Sequence, residues 1–134
     1  MKPVRLLLAL ALGAALTTGC GEDDEPAAPP AAAVADLRVT VDPDGDGPDA
    51  PRTGQVRCET ADESASCERI AALTPADFEP APDNVACTQQ FGGPEVAEVT
   101  GTLDGQPVTA TFSRQDGCQI TRWETATPVL EAAG

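Results

Sequence analysis

Apolar and polar positions change period several times along this chain, and each change marks an element. Leu37-Arg38-Val39-Thr40-Val41 alternates apolar with polar, the pattern of a strand with one buried face. Asp, Gly and Pro then crowd positions 42–49, which reads as a flexible hairpin connection. Gly54-Gln55-Val56-Arg57-Cys58 is the returning strand. Thr60 and Glu63 form the two ends of a capping box, so a helix is expected from Thr60 through about Ala72. Cys67, Ile70 and Ala71 recur on one face of it, with Ile70 and Leu73 as core residues. Thr74-Pro75-Ala76-Asp77 starts a second short helical turn with proline at its first position, and Pro80 and Pro82 end it.

The clearest local signal is Asp104-Gly105, a two-residue turn between the runs 95–103 and 106–114. Such a turn fixes the register, so residues whose numbers sum to 209 face each other (104 + 105). Val99 then opposes Ala110, Ala97 opposes Phe112 and Gly101 opposes Val108, which builds one apolar face. Thr100, Thr109, Glu98, Thr111 and Ser113 make the other face polar, a sheet chemistry rather than a ligand site. Gln115-Asp116-Gly117 turns the chain into Cys118, and Trp123 beyond it is expected to plug the core.

Between the helices and this hairpin runs Val85-Ala86-Cys87-Thr88-Gln89-Gln90-Phe91-Gly92-Gly93-Pro94. Three polar residues follow a cysteine, and an aromatic precedes a Gly-Gly-Pro brake. A solvent-facing peptide fastened at both ends has lost its conformational entropy before it meets a partner, which is what tight binding of an extended peptide requires. An anchored surface loop with no such role reads the same from this stretch alone.

The N-terminus carries a different signal. Lys2 and Arg5 precede an apolar run over 6–16, and Thr17-Thr18-Gly19 places small residues before Cys20. This is the pattern of a secretory leader over 1–19, with an apolar run too short to span a bilayer as a helix. A small residue directly before a cysteine also fits a bacterial lipoprotein cleavage box, with Leu16 four residues before the cysteine where three is usual. Cys20 then becomes the lipidated first residue, and palmitate-type chains hold the protein at the outer face of the cell membrane at about 0.8 kcal/mol per buried methylene. Plain secretion is the alternative. Residues 20–35 offer acid, proline and alanine with little to bury, a disordered tether, which leaves 36–134 as one domain.

With Cys20 assigned to lipid, Cys58, Cys67, Cys87 and Cys118 remain, an even number that implies two disulfides in an exported chain. A bridge from Cys58 to Cys67 would pin strand to helix, and one from Cys87 to Cys118 would carry the hairpin's end back to the polar loop. Zinc is the competing use of four cysteines, but the chain has no histidine and no Cys-x-x-Cys spacing. A calcium loop starts well, with aspartates at 42, 44 and 46 and glycine at 47, then fails at Thr53, where a glutamate is needed. Loss of the leader removes two of eight positive residues, so the net charge becomes 6 − 22 = −16. Nucleic acid is thereby excluded as a partner, and the acidity serves solubility. The absence of histidine excludes Ser-His-Asp and Cys-His catalysis, and no glycine-rich phosphate loop is present. The chain reads as a non-enzyme with no cofactor and no metal.

Taken together, the chain resembles the Streptomyces subtilisin inhibitor-like family. The residues that carry the resemblance are Cys58 after a strand, Cys67-Glu68-Arg69 in a helix, and Val85-Ala86-Cys87-Thr88-Gln89-Gln90-Phe91. The run from Val96 to Gly101, Leu103-Asp104-Gly105, and Phe112-Ser113 before Cys118 complete it. The resemblance implies an α+β domain, an antiparallel sheet of about five strands with two short helices, and Cys58–Cys67 and Cys87–Cys118 bridges. It also implies inhibition of an extracellular serine protease by a substrate-like loop. Cys87, Thr88 and Gln89 would be the third, second and first residues before the scissile bond, and Gln90 and Phe91 the two after it. Gln89 is neutral where the family often has Lys, Arg or Met, which favours a subtilisin-type target over trypsin. The exit Gly92-Gly93-Pro94 is one residue longer than usual, which would loosen the clamp, and the aromatic closing strand is missing from 120–134, which argues against the family's homodimer. The other reading is a non-inhibitory cell-envelope lipoprotein of the same fold, serving as a binding or structural module.

Overall fold

The structure is a computed structural model and describes residues 33–134. The leader at 1–19, Cys20 and nearly all of the tether at 20–35 lie outside the described residues. The sheet begins at Ala35, the last residue of the stretch read as tether, and this residue is fully buried between Leu103 and Cys58.

Among the described residues the sheet has four strands: β1 (Ala35–Asp42), β2 (Arg52–Cys58), β3 (Val96–Leu103) and β4 (Gln106–Ser113). Their order is β2-β1-β3-β4, and every neighbouring pair is antiparallel. The α+β class and the antiparallel sheet agree with the sequence expectation, while the strand count is four rather than about five. The β3–β4 register is the expected one, with Val99 opposite Ala110, Ala97 opposite Phe112 and Thr100 opposite Thr109. Asp104 and Gly105 take φ of 49° and 71°, the left-handed pair that a tight hairpin turn demands.

Two α-helices cover one face of the sheet, α1 (Ala65–Ala71) and α2 (Gly117–Leu130). α1 starts later than Thr60. Its N-cap is Ser64, whose Oγ accepts from the Cys67 N–H at 3.1 Å, and Thr60 lies in the preceding turn. Glu63 does reach back, but to the Glu59 N–H at 2.9 Å, so it closes that turn instead of a helix start. The second expected helix is a 3-10 turn over Pro75–Phe78, held by the Asp77 carboxylate, which accepts from the Thr74 N–H and hydroxyl. α2 stands where the expectation had only a turn and an irregular end. Asp116 caps it by accepting from the Gln119 N–H at 2.9 Å.

The core is the inner face of the sheet. Leu37, Val39, Val99, Leu103 and Phe112 are wholly buried under Ile70 of α1 and Val129 of α2, with Phe78 edge-on to Phe112. Burying a side chain of this size stabilises by about 1.5–3 kcal/mol. Trp123 packs against this core and stays half-buried. The outer face carries exposed Arg38, Glu98, Thr100, Thr102, Thr109 and Thr111. Cys58 is bonded to Cys67 with 5.6 Å between Cα atoms, and Cys87 to Cys118 with 5.3 Å. On the chain-entropy relation these links contribute about 2.7 and 3.7 kcal/mol.

Candidate protein-binding loop

β2 and β3 both flank β1, so the chain must cross the buried face between them. The crossover holds α1 and the 3-10 turn and then runs out along the surface before entering β3. From Val85 to Phe91 every residue is exposed, and none of them is in a helix or strand. Phe91 is 68% exposed, an unusual state for a phenylalanine in a domain with so few aromatics. Thr88, Gln89, Gln90 and Phe91 thus all face solvent.

Three fastenings hold this stretch to a single short segment at the end of β4 and the start of α2. The first is the Cys87–Cys118 bond. The second is the Thr88 carbonyl, which accepts from the Gly117 N–H at 2.9 Å. Gly117 opens α2, where backbone N–H groups have no partner inside the helix, so the loop caps the helix as the helix holds the loop. The third is the Gly92 N–H, which donates to the Arg114 carbonyl at 2.7 Å. Gln89, Gln90 and Phe91 form the free arc between these points.

The approach depends on two glycines. A Cβ on Gly117 would lie 2.1 Å from the Thr88 hydroxyl oxygen, and one on Gly92 would lie 2.9 Å from Ile120 and 3.2 Å from the Arg114 carbonyl. A side chain at Gly117 would displace that of Thr88, and one at Gly92 would crowd Ile120 and the Arg114 carbonyl. Gly92 therefore seats the loop, a role beyond the turn read for Gly92-Gly93.

Two arginines brace the surroundings, and neither stood out in the sequence. The side chain of Arg114 pairs with Glu95 just past the loop, Nη1 to Oε1 at 3.0 Å, and its guanidinium sits 6.0 Å from the Trp123 ring centre. Arg122 ties the approach to the loop. Its Nε donates to the Glu79 carbonyl at 2.9 Å, Nη2 to the Phe78 carbonyl at 3.3 Å, and Nη1 to both the Thr111 carbonyl at 3.1 Å and the Gln119 amide oxygen at 2.9 Å. It also lies over the Phe112 ring at 4.8 Å. Burial lowers its pKa from the ordinary guanidinium value. A sequence signal for this end of the molecule existed in Asp116-Gly117-Cys118-Gln119, which has the N-cap spacing of a helix start.

The sulfurs of Cys87 and Cys118 come close to Asp116, but they are bonded to each other. In the 42–49 connection Asp42 accepts from the Asp44 N–H and Asp44 from the Asp49 N–H, so these carboxylates hold the loop's own backbone. No three of the aspartates there bring oxygens within 4.8 Å of one another.

No helix among the described residues is long and apolar enough to cross a membrane. In comparisons with known proteins, no family model and no curated protein matches this chain.

Proposed function

We propose that this domain is a serine-protease inhibitor that presents Gln89-Gln90 as the scissile bond. The observation that carries the reading is the exposed arc 89–91 held on both sides by one segment, 114–118. A protease that cuts such a loop would leave one new end tied through Cys87 and Thr88 and the other through Gly92. The ends would stay in register, so resealing competes with release. The loop also enters the cleft with its backbone entropy already lost. The sequence resemblance to subtilisin inhibitor-like proteins supports the same assignment of residues. Gln89 fills the specificity pocket without a charge, so a trypsin pocket forgoes a charge-assisted bond of about 1.5–3 kcal/mol. A subtilisin-type protease is the better target. Lipidation at Cys20 and export to the outer face of the cell membrane complete the proposal, and two disulfides suit an oxidising compartment.

Titration of the purified protein against subtilisin and trypsin tests this. Inhibition of subtilisin at nanomolar to low micromolar concentration is expected, and Gln89→Lys should move potency towards trypsin by about tenfold or more. No inhibition of either enzyme removes the proposal. A second reading, a non-inhibitory envelope module, is favoured by one observation: among the described residues, no hydrogen bond joins the side chains of Gln89 and Gln90 to the body of the domain. Rapid, complete cleavage at 89–90 by excess protease would select that reading.

A further inference from the structure

Beside the loop exit lies an open groove of about 500 Å³. Its lining mixes apolar Phe91, Pro94 and Val96 with the carboxylates of Asp42, Asp46 and Glu98; Glu98 shares a face of β3 with Val96, and Asp42 pairs with Val96 across the sheet. Asp44 stands in the same lining, and its Oδ1 is buried without a hydrogen-bond partner. Among the described residues, no lysine or arginine lines the groove. The acidic rim is not a remote patch. The Pro94 carbonyl comes to 3.1 Å from where a Gly45 Cβ would stand, so the β1–β2 connection lies directly against the loop exit. Phe91 therefore joins two features: it is the exposed aromatic of the free arc and the near wall of the groove.

On the inhibitor reading, we propose that Phe91 and this groove receive a lysine or arginine side chain from the rim of the partner protease, on the side that binds residues after the scissile bond. The chemistry of the groove fits that occupant and few others. A long cationic side chain lays its methylenes on an apolar wall and its charge on a carboxylate rim. An aromatic face at the same spot attracts the cation further. An anionic or uncharged rim on the protease would gain nothing from Asp46 and Glu98. Selectivity among proteases of one pocket type is thus set after the scissile bond, by charge, and Gln89 leaves room for it by making no charged contact of its own. Opposite charge across an interface acts chiefly on the association rate and on salt dependence.

The test uses two proteases that differ only at this rim: subtilisin, and a subtilisin variant with two lysines introduced on its rim beside the bound residues that follow the cut. Inhibition is measured at about 0.02 M and about 0.5 M salt, where screening lengths differ several-fold. The lysine variant should associate about tenfold faster than the parent at low salt, with the gain lost at high salt. Asp46→Asn with Glu98→Gln should abolish the gain, and Phe91→Ala should weaken binding to both enzymes. Asp46 and Glu98 are exposed and hold no other group, so these variants keep the fold, which circular dichroism checks. Equal rates for the two proteases, or a gain that survives neutralisation of the rim, overturn the groove. Failure to inhibit parent subtilisin, its lysine variant and trypsin alike overturns the inhibitor reading and the groove with it, whereas inhibition that ignores the rim charge overturns the groove alone.

Discussion

Removing the two disulfides one at a time should separate stability from loop behaviour. The Cys87–Cys118 link closes 31 residues of separation and the Cys58–Cys67 link only nine. Chain entropy alone ranks the first higher, about 3.7 against 2.7 kcal/mol. Burial reverses that ranking. Cys58 is fully buried and Cys67 is 5% exposed, so serines there carry hydroxyls into the core. An unsatisfied buried hydroxyl adds about 1–3 kcal/mol. Cys87 is exposed and Cys118 half-buried, so serines there meet water and add little. Cys58→Ser with Cys67→Ser should therefore cost about 5 kcal/mol or more, above the about 3.7 kcal/mol of Cys87→Ser with Cys118→Ser. Urea unfolding of the two variants reads this directly.

Protease exposure should rank them the other way. At a urea-free temperature where both remain folded, the variant lacking Cys87–Cys118 loses the fastening next to the free arc. Only the Thr88 and Gly92 backbone bonds then hold it. Cleavage at 89–90, followed by mass spectrometry under excess subtilisin, should quicken by about tenfold or more, since a severed end is no longer kept at high local concentration. The variant lacking Cys58–Cys67 should keep its loop intact. Equal cutting of both, or resistance of the Cys87–Cys118 variant equal to the parent's, would refute the reasoning that the sulfur bond beside the arc is what restrains it.

Two further outcomes probe the scaffold. Gly101 holds φ of 144° with the place of a Cβ only 2.1 Å from the Asp36 carbonyl of β1, so Gly101→Ala should cost more than about 3 kcal/mol in urea unfolding or prevent folding. Arg122→Lys keeps the charge but cannot reproduce a fork that reaches Phe78, Glu79, Thr111 and Gln119 at once, and should lose about 2 kcal/mol, with the loss showing as faster cleavage in the approach to Cys87.

The parts of this fold that were legible in the sequence are those whose signal is local. Asp104-Gly105 fixes its turn by backbone chemistry, and the turn then fixes every pair of the β3–β4 ladder. Strand alternation from Leu37 to Val41 likewise survives in the structure as buried and unburied positions. α2 was hidden because its residues argue against a helix one by one. Thr121, Thr125 and Thr127 are β-branched, and Pro128 stands inside it. The structure shows how they are accommodated. Each threonine hydroxyl donates to the carbonyl four residues earlier, at 3.0 to 3.1 Å, and Ala126, Val129 and Leu130 face the core. Thr60 and Ser64 are both good caps by residue type, and the helix in the structure starts from Ser64 with Cys67 and Ile70 buried.

For the candidate loop the same division holds, and it explains what kind of information a sequence lacks. Cys87 and the polar residues after it announce an anchored surface peptide. The other two fastenings are backbone groups of Gly117 and Arg114, which any residue possesses, so no side-chain pattern can reveal them. They exist because α2 begins where it does. A helix start leaves N–H groups without internal partners, whereas a strand at that place would pass its N–H groups to a neighbour in the sheet. The first residue of α2 is thus the donor to the Thr88 carbonyl. The helix also brings Ile120 against Gly92 and Trp123 under Arg114. Restraint of the arc is therefore built from 114–118, where β4 ends and α2 begins, and Gly92 is fastened before the Gly93-Pro94 exit starts.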